Sequence, residues 1–179
     1  MKPIIYSVFL FFCVIAGMLF FAIKNEFIIF NIATITQEVS NEKPASKKEV
    51  HLIFWQNNQW KAENHDLLWT HNKQQDLHCL INTWLTLLHE ENNMEKKVTL
   101  HTVLLATSDQ TAYLSFDSDP LSKESATTGK LFFIEGLLKT IRENDISLQE
   151  VQFLVQHEQM QDPHLDFSKP WPINGFFQG

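Results

Sequence analysis

The apolar and polar positions along this chain are distributed very unevenly. Residues 4–23, IIYSVFLFFCVIAGMLFFAI, run for twenty positions without a charge. At about 1.5 Å of rise per residue a helix of that length spans about 30 Å, the thickness of a bilayer's hydrocarbon core, so the run predicts a single transmembrane helix. It is longer than the apolar region of a cleaved signal peptide. Phe20 stands where a cut after Ala22 would need a small residue, and Asn31 and Ile32 spoil a cut after Ala33. Bulky Phe11 and Phe12 before Cys13 argue against lipid attachment at that cysteine. The expectation is therefore a retained anchor. Positive charge precedes the span at the α-amine and Lys2, whereas Lys24 and Glu26 cancel after it, which places the N-terminus in the cytoplasm and the rest outside it.

A second, shorter apolar stretch at 27–35 cannot span and extends the anchor segment to about residue 36. Residues 37–49, QEVSNEKPASKKE, are polar and aperiodic and read as a linker. From residue 50 the pattern becomes that of a folded domain. VHLIFW at 50–55 is β-branched and aromatic, a strand; Asn57 and Asn58 mark a turn; a weaker strand is expected within 60–70. Across 75–89, Leu77, Leu80, Ile81, Trp84, Leu85 and Leu88 recur at intervals of three and four, an amphipathic helix. Residues 98–107 and 111–116 form a hairpin about Ser108, Asp109 and Gln110. After a polar connection over 117–129, a second helix at 130–144 aligns Leu131, Ile134, Leu138 and Ile141, and a last strand is expected at 151–155. The order ββαββαβ predicts an α+β domain, a mixed sheet with two helices packed on one face, spanning 50–170 and followed by a tail at 171–179.

Charge sharpens this division. The chain of 179 residues carries 14 Lys and Arg against 21 Asp and Glu, a net −7. Residues 1–24 hold two of the lysines and no acid, so the remainder stands at 12 against 21, or −9. A domain this acidic is excluded as a partner for nucleic acid and is repelled by an anionic lipid surface. Two cysteines make no disulfide framework and no CxxC pair, and Cys79 reads as a small apolar residue of the first helix.

Candidate chemistry is sparse. GxSxG, GxGxxG, a P-loop and HExxH are all absent, which leaves no nucleophile elbow, nucleotide cradle or zincin pair. His157, Glu158, Asp162, His164 and Asp166 are of ligand type but match no rigid cage, and Asp117 and Asp119 suit a turn as well as an acid pair. No cofactor is called for. The aromatic content is the more informative excess: Trp60, Trp171, Phe176 and Phe177 fall in turn or tail regions, where exposed rings would form a partner or glycan-stacking surface.

AYLSF at 112–116, the serine-rich loop, the helix ending LLKTIREN at 137–144 and VQFLV at 151–155 together resemble the second half of the GerMN domain family. That family is named for spore germination proteins and also occurs in envelope proteins of bacteria that do not sporulate. Its pattern is a strand with a "vDFS"-like end, a helix ending in a Thr-Leu pair, a "V..LV.G" strand and a "GH.D...P" close. Thr140 falls at the helix threonine, and His164, Leu165, Asp166 and Pro170 fall on the close. His157 stands near the family's Gly after the strand, Pro163 replaces the Gly before His, and Ile141 replaces Leu. The resemblance implies an exported, non-enzymatic binding or scaffold module of the cell envelope, with an envelope protein or peptidoglycan as partner. It implies structural roles for Thr140, His164, Asp166 and Pro170. The alternative is an envelope hydrolase or metal-dependent enzyme built on His157, Asp162, His164 and Asp166.

Overall fold

A computed structural model describes residues 45–108, 110–121 and 125–176, all within one compact unit that begins at Asn41. The apolar run at 4–23, the segment after it, most of the expected linker and Phe177 lie outside the described residues. Among the described residues no helix is long and apolar enough to cross a membrane.

Strand β1 (Ser46–Gln56) and strand β2 (Gln59–Trp69) form an antiparallel hairpin. Their two-residue connection, Asn57 and Asn58, has φ of 53° and 60°. Positive φ at both positions is the turn that matches the right-handed twist of paired strands, and asparagine tolerates it. Val50, Leu52 and Phe54 alternate inward along β1. The strand starts four residues before the apolar pattern does. Ser46, Lys47, Lys48 and Glu49, expected as linker, belong to it because they pair with residues 66–69 of β2.

Helix α1 (Lys73–Glu90) opens at Asn72, whose side chain accepts from the backbone N–H groups of Gln74 and Gln75. This satisfies donors that have no partner inside the helix. Strands β3 (Leu100–Leu105) and β4 (Thr111–Phe116) form the expected second hairpin. Helix α2 (Thr127–Glu143) follows, and strand β5 (Glu150–Val155) runs parallel to β4. Two short strands complete the order: β6 (Glu158–Gln159) and β7 (Trp171–Pro172), both antiparallel to β5.

The class is α+β with two helices and mixed sheets, but the expected single sheet is two. β3, β4, β5 and β6 form one in that order, with β7 also on β5; β1 and β2 form the other. The outer edge of β1 is closed by helix side chains in place of a third strand. Asn144 accepts from His51 N–H at 2.9 Å and donates to His51 carbonyl at 2.8 Å. Thr140 Oγ1 accepts from Ile53 N–H at 2.9 Å, and Trp84 Nε1 donates to Ile53 carbonyl at 2.7 Å. Close approach makes this possible: a Cβ on Gly136 would stand 3.1 Å from Ile53 carbonyl oxygen and 3.3 Å from the Trp84 ring. The same device recurs in α1, where Asn82 accepts from Leu100 N–H at 2.8 Å and donates to its carbonyl at 3.2 Å. Each helix thus seals a strand of the other ββα half. Both halves share one core, in which Trp84, Phe54, Phe116, Phe153 and Phe167 are the large buried apolar side chains among the described residues.

The C-terminal tail packs onto the sheet as far as it is described. β7 pairs with β5, and Ile173 N–H donates to Gln149 carbonyl at 2.7 Å. The fully buried Glu135 of α2 accepts from Phe176 N–H at 3.0 Å, and Arg142 donates to Ile173 carbonyl at 2.5 Å.

Candidate functional site

Trp55 is the last residue but one of β1 and Trp60 the second of β2, and the hairpin register sets them opposite each other. Their rings meet edge to face at 5.2 Å. Phe132, from the early turns of α2, stacks on Trp55 at 4.2 Å with planes 13° apart and meets Trp60 edge-on at 5.8 Å. The Lys139 ammonium lies 5.1 Å from the Trp60 ring centre. All three rings are half-buried. With Trp55 and Phe132, the residues Phe54, Trp84, Leu88, Asn93, Gly129 and Phe133 line a cavity of about 170 Å³. A neighbouring one of about 240 Å³ shares Asn93, Gly129 and Phe133 and adds Glu95, Pro120 and Lys130 among its lining. Gly129 leaves the ground between them clear, since a Cβ there would meet nothing within 4 Å. The result is a groove with aromatic walls and amide and charged groups along its rim.

The second cavity has a fixed charge pair in its wall. Lys130 Nζ lies 2.5 Å from Asp162 Oδ2, with side-chain exposures of 0% and 4%. The other carboxylate oxygen of Asp162 accepts from the backbone N–H groups of His164 and Leu165. Burial pushes the Asp162 carboxyl up, but the Lys130 hydrogen bond, the two backbone donors and the Lys130 charge outweigh it and hold the group below the usual carboxylate range.

Asp162 is thus engaged by Lys130 and by the backbone of its own loop. His164 is exposed, and Asp166 is engaged locally, accepting from Ser168 N–H at 2.8 Å; hydrogen bonds from Ser168 keep its carboxyl below the ordinary range. His157 lies in the β5–β6 turn. Among the described residues no group of three or more His, Cys, Asp or Glu is arranged to hold a metal ion. Asp117, just after β4, accepts from Thr99, just before β3, and so ties the two strand ends together, while Asp119 serves a turn, accepting from Leu121 N–H. Cys79 is a half-buried free thiol.

The aromatic residues singled out in the sequence are separated by the fold. Trp60 stands behind the groove, edge-on to the Trp55 and Phe132 rings that line it. Trp171 is half-buried between Phe167 at 5.5 Å and Phe176 at 5.6 Å, and its indole N–H has no hydrogen-bond partner among the described residues. Phe176 is exposed but tied by its backbone to Glu135. Thr140 is buried and holds β1, and Pro170 is half-buried immediately before β7. Trp55 and Phe132 escaped sequence reasoning because strand and helix periodicity alone gave them no role. A Trp on either side of an Asn-Asn turn was the available signal.

No family model matches the chain, and no curated protein matches it. Among solved structures, it is similar to a candidate lipoprotein from Clostridium perfringens, with 16% identity over 74% of this chain and 91% of that one and a TM-score of 0.48.

Proposed function

We propose that this chain is a membrane-anchored, extracytoplasmic module of GerMN type that binds the glycan of the cell envelope and has no catalytic role. The observation that carries the reading is the groove between Trp55, Phe132 and Gly129. A pyranose ring presents apolar C–H faces that pack on aromatic surfaces, and hydroxyls that pair with amides such as Asn92 and Asn93. An open groove between two small cavities accommodates successive units of a polymer better than one enclosed metabolite. The uncharged run at 4–23 would hold the acidic domain outside the membrane, standing off its anionic surface. Thr140 also supports the GerMN reading, because the helix threonine of that motif has here a defined structural task at β1.

The test is sedimentation of the full-length protein, in mild detergent, with purified peptidoglycan sacculi. Retention is expected, and Trp55→Ala or Gly129→Trp should weaken it about tenfold, the loss of one well-packed anchor. Equal retention of parent and variants, or none of the parent, would sink the glycan reading. If the parent instead co-isolates an envelope protein, and the same two substitutions abolish that association, the groove serves a protein partner.

A further inference from the structure

Two irregularities of the backbone converge on one pair of imidazoles. In the β3–β4 ladder Leu100 pairs with Phe116 and Thr102 with Ser115, so His101 is the extra residue of a β-bulge. Bulges redirect a side chain at the cost of local pairing. Across the sheet, the β5–β6 turn consists of Gln156 and His157, with φ of 51° and 69°. The other turn of this kind uses Asn57 and Asn58, and such turns ordinarily take Asn, Asp or Gly. A left-handed backbone at glutamine and histidine stores strain, which points to a task for the side chain. The turn is nonetheless pinned: His157 N–H donates to Ser115 Oγ at 2.8 Å, Gln156 N–H to Phe116 carbonyl at 2.9 Å, and Gln156 Nε2 to Asp117 carbonyl at 3.2 Å.

The bulge and the turn bring the rings of His101 and His157 to 5.5 Å between centres. Both residues are exposed and line a cavity of about 320 Å³ with Phe116, Asp117 and Gln156. With metal–nitrogen bonds of about 2.0–2.1 Å, two imidazoles on a tetrahedral ion place their ring centres about 5.2 Å apart. The observed spacing is within a few tenths of an ångström of that value. Asp117 adds a fixed negative charge to the cavity, its two oxygens held by Thr99 and Ser118.

We propose that His101 and His157 form a two-imidazole site for a borderline divalent metal such as zinc, nickel or copper(II), the ions that imidazole suits. Water completes the coordination. This site uses neither the aromatic groove nor the Asp162, His164 and Asp166 segment, and it stands or falls independently of glycan binding.

The experiment is calorimetric titration of the full-length protein, in mild detergent, with zinc, repeated with cobalt(II) so that visible absorption reports the coordination. The parent should show saturable binding of one ion per chain. His101→Ala and His157→Ala should each weaken it about tenfold or more, the loss of one of two donors. The double substitution should abolish it, while His71→Ala and His164→Ala leave it unchanged. His157→Gly separates folding from binding: glycine relieves the left-handed turn, so the melting temperature should hold or rise while the ion binds as weakly as it does to His157→Ala. Parent-like binding by the double variant, or no saturable binding by the parent, would overturn the proposal.

Discussion

Burying the Lys130 ammonium against Asp162 commits both residues to one another. Removing one partner leaves an uncompensated charge in the interior, which costs far more than the pair itself contributes. Asp162→Ala should therefore lower unfolding free energy by about 3–5 kcal/mol, measured by denaturant titration, whereas a joint change to Lys130→Met and Asp162→Leu should cost much less. The pair also sets an acid limit. Because the folded carboxyl titrates below its unfolded value, its stabilisation is present above about pH 4 and is lost as pH falls through the lower folded value. The joint variant should show a flatter stability profile in that window than the parent. Gly175 is a second residue with no substitute. Its φ is +70° and a Cβ would stand 2.2 Å from a Glu135 carboxylate oxygen. Gly175→Ala should cost at least about 1–2 kcal/mol in thermal or chemical unfolding, the left-handed penalty before any clash.

Among the elements, the helices do more than cover a sheet. Asn144 with Thr140, and Asn82, pair with the backbone of β1 and β3 where a neighbouring strand would otherwise stand. Asn144→Ala leaves His51 N–H and carbonyl without their partner and should destabilise the fold by about 1–3 kcal/mol, with faster amide exchange concentrated at His51. Both helices and the first five strands were legible in the sequence, because one-sided burial imposes a period of 3.6 or 2. The separation of β1–β2 from the larger sheet was not, since it turns on side chains of Thr140 and Asn144 about ninety positions away in the chain. β6 and β7 were illegible for a simpler reason. Two residues cannot display a period.

For the whole molecule, the segment after Pro170 is integral to the packing. Residues 171–176 supply a strand to β5 and partners to Glu135 and Arg142, so truncation after Pro170 leaves the buried Glu135 carboxylate with Arg142 but without the Phe176 N–H, and removes Trp171 from Phe167. A chain ending there should melt at a markedly lower temperature or fail to accumulate, by scanning calorimetry or by yield. The candidate site was legible only in part. Trp60 was flagged by composition, but its partners come from a strand end and a helix start that acquire meaning only when packed. Lys130, the wall of the adjoining cavity, carried no signal, as its partner lies 32 residues away.

The reciprocal seal between the halves also fixes an order of events in time. The hairpin of residues 46–69 is complete early in synthesis, yet the side chain that closes its outer edge is Asn144, 93 positions beyond the His51 it serves. At about 5–20 residues per second, roughly 4–15 s separate emergence of Trp69 from that of Asn144. Throughout that interval β1 presents unpaired backbone to any other nascent chain. The charges on its first residues, Lys47, Lys48 and Glu49, then act as the temporary guard of an edge that the finished protein keeps closed.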